Sequence, residues 1–216
     1  MILVPVKNLR NAKQRLSAIL DQASRTQLAQ AMVADVLEAL ASWENRPEVA
    51  VVTTDTYVQE LARQLDLLII ADENRSETDA IERATAFCLA QGAESTLVIP
   101  GDIPLIDATE LQAIMDSAPE RGSVLVPAGD GRGTNAAYRN PAALFPLRFG
   151  NDSFKPHLNA ARGTGYPCAV LSLPGIALDI DNPAHLQQLA ATPGQRRSQI
   201  LARQWDVRDY LLAANE

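Results

Sequence analysis

The chain has 216 residues, 47% of them hydrophobic, enough for one core of α/β size that buries roughly 70% of the surface its unfolded form exposes. A formal charge of −7 and an isoelectric point near 4.9 argue against nucleic-acid and anionic-membrane partners, which select for a basic face. Cys88 and Cys168 show neither a disulfide framework nor metal-ligand spacing, no apolar run approaches a membrane span, and the start MILVPVK lacks signal-peptide character; a cytoplasmic protein is expected.

The first element is the apolar run at 2–6, ILVPV, which reads as a buried strand. It runs into a loop holding Lys7, Arg10, Lys13 and Arg15, a local concentration of cations on an acidic body that suits a small anion. A helix follows over 24–42, with Leu28, Met32, Val36 and Leu40 repeating every four residues behind Ser24 as the expected cap. Further strands are expected at 49–53, 67–71, 96–100 and 123–127, and helices at 56–65, 78–91 and 107–118. This alternation predicts right-handed crossovers and a mostly parallel central sheet covered on both faces, a three-layer α/β sandwich. Ligands of such sheets bind beyond the carboxyl ends of the strands.

After residue 140 the rhythm loosens into short helices and loops, then strands near 168–173 and 176–180 and a helix over 183–191 with Pro183 in its first turn. The tail, about 194–216, has helical composition and packs either on the core or on a second copy of the chain, which would make a homodimer. No composition break marks a linker, so the expectation is a single domain over 1–216.

Chemistry concentrates at the strand ends. In LVIPGDIPLID, Asp102 follows a buried strand and is held between Pro100 and Pro104, well placed for a metal, with a turn-forming Asx role as the alternative. In GIALDIDNPAHL, Asp179 and Asp181 alternate on an expected strand and so point to the same side, just before a proline-initiated helix. Together with Asp102 they make a magnesium site of hard oxygen ligands, unless Asp181 or Asn182 merely caps the helix. The Lys and Arg loop reads as a grip for a polyphosphate, although it is no Walker A loop because it lacks glycine. In GDGRGTNAAYRNP, Gly129, Gly131 and Gly133 lead into Thr134 and Asn135, which suits an oxyanion or sugar contact or a plain hairpin turn. In RFGNDSFKPH, Gly150 and Ser153 could present an amide and a hydroxyl to a phosphate, or Ser153 could cap a helix. His157 is within reach of that loop, His185 reads as a surface residue, and Trp43 and Trp205 read as packing or interface residues.

In this order and at these separations, the stretches VPVKNLRNAKQRL, AMVADVLEAL, PGDIPL, GTNA, FGNDSFKPH and LDIDNP resemble the guanylyltransferases of coenzyme F420 biosynthesis. These are relatives of the molybdenum-cofactor guanylyltransferases and share a glycosyltransferase-A-like nucleotidyltransferase fold. The resemblance implies GTP as donor and a three-carbon phospho-acid as acceptor: 2-phospho-L-lactate, phosphoenolpyruvate or 3-phospho-D-glycerate. By position, Asp102 and Asp181 would ligate Mg2+, Lys13 with Arg15 would contact the triphosphate beside Lys7, and Thr134, Gly150 and Ser153 would hold the acceptor. Two stretches depart from the family pattern. SETDAIERA places Thr78 and Asp79 where relatives read Leu-Asn, on the nucleotide side, and Arg132 stands where paired glycines are common. Arg132 therefore either meets an acceptor carboxylate or faces solvent.

The expected reaction is in-line attack of an acceptor phosphate oxygen on the α-phosphorus of GTP, with expulsion of pyrophosphate. The rivals are a nucleotidyltransferase using CTP or a molybdopterin acceptor, a nucleotide-sugar glycosyltransferase releasing nucleoside diphosphate, and a non-catalytic nucleotide-binding protein.

Overall fold

Continuous apolar runs become the central strands because both of their faces are covered. In the computed structural model, which describes residues 1–71, 76–150 and 152–205, β1 is Ile2–Pro5, β2 Val49–Thr53, β3 Leu68–Ala71, β4 Thr96–Val98, β5 Gly122–Pro127, β6 Thr134–Asn140 and β7 Cys168–Val170. They form one sheet in the order β3-β2-β1-β4-β6-β5-β7. β6 runs antiparallel to β4 and β5, and the other pairings are parallel, with Ile2 of β1 opposite Val49 on one side and Leu97 on the other.

The helices are α1 (Gln22–Ser42), α2 (Thr56–Gln64), α3 (Glu77–Ala90), α4 (Ala108–Asp116), α5 (Phe154–Gly163), α6 (Pro174–Ala177), α7 (Pro183–Ala191) and α8 (Arg197–Gln204). Alternate strand residues face opposite layers. Ile2, Val4, Val49 and Val51 pack with Leu28, Met32 and Leu37 of α1, Ile114 of α4 and Leu186 of α7. Leu3, Ala50 and Val52 pack on the other face with Ile81 and Ala84 of α3 and Ala161 of α5. This is the expected three-layer α/β sandwich.

The chain departs from expectation in three places, and its tail takes one of the two expected courses. Helix α1 begins two residues earlier than expected and is capped by Asp21, whose carboxylate accepts from Ser24 N at 2.7 Å. Ser24 is inside the helix, and Asp21, as an ionised acceptor at the positive helix end, is the stronger cap. Strand β6 was expected only as loop chemistry. The hairpin turn before it is closed by Asp130 Oδ1, which accepts from Arg132 N at 2.8 Å, and the strand then fills the space between β4 and β5.

Residues 176–180 form no strand. Pro174 starts the short helix α6, and the Glu110 carboxylate accepts its free Gly175 and Ile176 amides at 2.7 and 2.8 Å, so these groups are satisfied without a sheet partner. The tail packs on its own core through α8. Buried Asp35 of α1 accepts from Arg197 N at 2.9 Å, Ser198 N at 3.0 Å and Ser198 Oγ at 2.5 Å, satisfying the helix start from outside. Residues 206–216 of the expected helical tail lie outside the described residues.

The order of strands decides where a ligand can bind. From β1 the chain winds outward through β2 to β3, then returns to place β4 on the other flank of β1. The crevice at such a reversal opens at the carboxyl ends of β1 and β4, where the cationic loop and Asp102 begin.

Candidate active site

The cationic loop after β1 is pinned by buried Leu9 and Leu16, and Leu9 N donates to Asp55 Oδ2 at 2.9 Å. Between these anchors Lys13 adopts a left-handed backbone, φ 53° and ψ 45°, which an unbranched L-residue tolerates only where its surroundings impose it. The turn sends the lysine inward. Its ammonium donates to Asp102 Oδ2 at 2.7 Å and to Asp181 Oδ1 at 2.8 Å, and its side chain is 8% exposed. Arg15 Nη1 reaches Asp181 Oδ2 at 3.5 Å.

Asp102 is carried by a tight turn packed against α1. A Cβ on Gly101 would stand 3.0 Å from Val6 Cγ2 and 3.2 Å from Val33 Cγ2, so glycine lets the turn approach the core. Asp181 is brought across by the backbone: Ile180 N donates to Asp102 O at 3.2 Å, joining the two carboxylate-bearing segments. Asn182, not Asp181, caps α7, accepting from His185 N at 3.0 Å. Asp181 therefore keeps its carboxylate for Lys13 and Arg15. Asp179 lies beside them, its amide partner Asn135 donating at 3.2 Å and also holding Ile176 O and Ala177 O.

The charges settle one another. Burial alone would lower the Lys13 ammonium, but the Asp102 and Asp181 carboxylates outweigh it and hold the group above the ordinary lysine range. For Asp181, burial pushes upward and Lys13 and Arg15 overrule it, leaving the carboxyl below its usual range. Asp179 shifts the opposite way from Asp181. Burial raises it, with Asp102 and Asp181 adding repulsion.

Two cavities meet here. The larger, about 710 Å³, is lined by Lys7, Asn8, Asn11, Lys13 and Thr54, and the smaller, about 360 Å³, by Thr134, Asn135, Gly150, Ser153 and Asp179. Arg15, Pro100, Asp102 and Asp181 belong to both. Sequence-expected residues thus gather in two groups around one shared wall. Asp79 is placed apart: it is exposed in the first turn of α3, and its neighbour Ala80, not Asp79 itself, lines the larger cavity.

The smaller cavity also contains residues that the sequence did not single out. Asp152, at φ 57°, pairs with Arg132 through Nε and, at 3.1 Å, through Nη2, so Arg132 meets a carboxylate of its own chain. Phe149 adds an aromatic edge. Both lie within the RFGNDSFKPH stretch, but neither was singled out there, because the sequence alone does not pair Asp152 with Arg132, 20 residues away. Ser153 makes no cap bond to α5; its hydroxyl serves Thr134.

The described residues include no helix long and apolar enough to cross a membrane. The family model described as "Guanylyl transferase CofC like" matches residues 1–204. A phosphoenolpyruvate guanylyltransferase of Rubrobacter xylanophilus is 37% identical over 192 residues, covering 88% of this chain and 93% of the relative. A 2-phospho-L-lactate guanylyltransferase of Methanothermobacter thermautotrophicus is 35% identical over 188 residues, covering 87% and 82%. Among solved structures, one described as a nucleotide-diphospho-sugar transferase from Desulfovibrio desulfuricans G20 superposes with a TM-score of 0.78 at 17% identity, covering 99% of this chain and 96% of that one, a likeness of fold. With the family model matching residues 1–204 of this chain and relatives this similar, the chain belongs to the CofC-like guanylyl transferase family.

Proposed function

We propose that this protein transfers the guanylyl group of GTP to the phosphate of a three-carbon phospho-acid, releasing pyrophosphate, as a step of coenzyme F420 biosynthesis. The acceptor is 3-phospho-D-glycerate, phosphoenolpyruvate or 2-phospho-L-lactate. One observation carries this reading: a large and a small cavity share the wall bearing Asp102 and Asp181, with the Lys13 ammonium against both carboxylates. The names of the relatives support it, since they pair a guanylyl donor with phospho-acids of this size.

In the reaction an acceptor phosphate oxygen forms a bond to the α-phosphorus as the bond from that phosphorus to the bridging oxygen of the β-phosphate breaks. The leaving pyrophosphate takes the electron pair. An ionised phosphate needs no general base, and no protein nucleophile is required. The chain's work is to hold two anions in line and to balance their charge. Lys7, Lys13 and Arg15 face the triphosphate from the larger cavity, while Thr134, Ser153 and the Gly150 backbone receive the acceptor in the smaller one.

Asp102 and Asp181 suit magnesium as ligands. Their carboxylates already converge on one cationic group, and their side chains remain 36% and 37% exposed at the junction of the cavities. Among the described residues no group of three His, Cys, Asp or Glu forms a metal cage. Magnesium is commonly held by one or two carboxylates with water and substrate phosphates completing the shell. Bound there, it would neutralise charge on the α-phosphate and the acceptor.

The test is incubation with GTP, Mg2+ and each of the three phospho-acids in turn, with mass detection. The expected product is one guanylylated diphosphate together with pyrophosphate. Release of nucleoside diphosphate would instead identify a sugar transferase, and no product with any acceptor would remove the reading.

A further inference from the structure

Thr134 opens β6 and lines the smaller cavity, and its hydroxyl oxygen is met from behind by His157 Nδ1 at 2.9 Å and Ser153 Oγ at 3.3 Å. A third contact settles the direction of the first. Arg148 N donates to His157 Nε2 at 2.8 Å, so that nitrogen carries no proton. A neutral imidazole then has its one proton on Nδ1 and donates it to Thr134 Oγ1. Ser153 Oγ accepts from Thr134 N at 3.1 Å and donates to the same threonine oxygen. Both lone pairs of that oxygen are taken. Its own proton has no acceptor among the described residues and is left for the cavity that the side chain lines.

We propose that His157 is a positioning residue for the acceptor: as the Nδ1–H tautomer it fixes the Thr134 hydroxyl as a donor aimed at an anionic oxygen of the phospho-acid. The proposal rests on the acceptor reading of the smaller cavity given above. His157 itself is 1% exposed and lies behind the cavity wall, so it touches no substrate. The Phe149 ring meets it edge-on, 5.0 Å between centroids at 64°, which holds the plane of the imidazole. Burial lowers the ring's pKa to about 4, and Arg139 of β6, the charged group acting on it, opposes a positive ring as well. The neutral form therefore persists across the pH range in which phosphates are ionised. A second ring proton would face the Arg148 amide donor and break that tie.

The test combines kinetics with spectroscopy. His157→Phe should raise the acceptor KM about tenfold, the weight of one hydrogen bond to a charged group, with the GTP KM unchanged. His157→Asn, whose amide can donate from near the Nδ1 position, should stay close to wild type. In a Thr134→Val background, His157→Phe should add nothing to the acceptor KM. Equal effects on GTP and acceptor, or additive effects of the two substitutions, would overturn the proposal. Nitrogen NMR of the unsubstituted protein reads the tautomer whether or not a variant folds, and an Nε2–H ring would overturn it directly. If the unsubstituted protein turned over no phospho-acid, the acceptor reading would fail, and that outcome is distinct from normal turnover with an unresponsive His157.

Discussion

Lys13 and Asp181, 168 positions apart, are joined by a 2.8 Å bond from ammonium to carboxylate, and the same ammonium holds Asp102 at 2.7 Å. Three segments with no sequence proximity therefore form one charged centre. Its net charge is negative by the count of one Lys against two Asp, and Arg15 at 3.5 Å brings it back to balance. In the proposed reaction, such a centre would exchange its internal partners for phosphate oxygens and a divalent cation without isolating a buried charge.

Asp102→Asn keeps the volume of the side chain while removing its charge. Turnover is expected to fall on the order of 100-fold or more, with little change in the thermal midpoint, because the turn is held by Gly101 packing and the Ile180 amide rather than by the carboxylate. Pyrophosphate release and a melting curve on one preparation check this. Near-normal turnover would remove Asp102 from the reaction.

Lys13→Ala should lower turnover by a factor on the order of 100 to 1,000, the range for loss of one preorganised charge-stabilising donor. Its effect on stability should be modest, about 1–2 kcal/mol, below the range for a fully buried pair, because both carboxylates are more than a third exposed and water screens the loss. A rate within twofold of the unsubstituted protein would place Lys13 outside the active site.

Asp35→Ala tests the docking of α8 rather than the chemistry. It strands the Arg197 and Ser198 amides and the Ser198 hydroxyl in a buried setting. The expected cost is about 1–3 kcal/mol, read as a lower denaturant midpoint. Steady-state kinetics at low temperature should be close to normal, since none of these groups lines either cavity.

Acid should weaken the fold through His157. Its folded pKa, about 4, lies below the unfolded value of 6.5, so between these values the unfolded chain binds the extra proton and the folded chain does not. The stabilisation is complete above pH 6.5 and is lost as pH falls towards 4, up to about 3 kcal/mol for this one group. Chemical denaturation at several pH values should show a slope in that window that is reduced in His157→Phe by the share of this one ring.

Much of the fold was legible in the chain because its strands are covered on both faces. Runs such as VAVVT and ILVPV are apolar at every position or nearly so, rich in β-branched residues and too short for a buried helix. Strand β6 was not legible. Its residues TNAAYRN are small or polar, and they tolerate burial only because distant groups satisfy them: Arg139 donates to Phe145 O at 2.7 Å and to the Thr85 and Thr96 hydroxyls at 3.1 and 3.2 Å. The apolar stretch after Pro174 misled in the opposite direction, because burial was achieved by a helical turn capped by Glu110 instead of by a ladder.

The candidate site divides in the same way. The amino-acid order by itself determined which side chains could do chemistry, because a lysine-rich loop after a strand and an aspartate between prolines are local features with local causes. Tertiary structure decided which of them meet. The return of β4 to the flank of β1 and the hydrogen bond from Ile180 to Asp102 bring Asp181 to Lys13, while Asn182 takes the capping role that Asp181 might have filled. Pairing across so many residues depends on crossover direction and sheet order, and those are properties of the whole core rather than of any stretch that can be read in isolation.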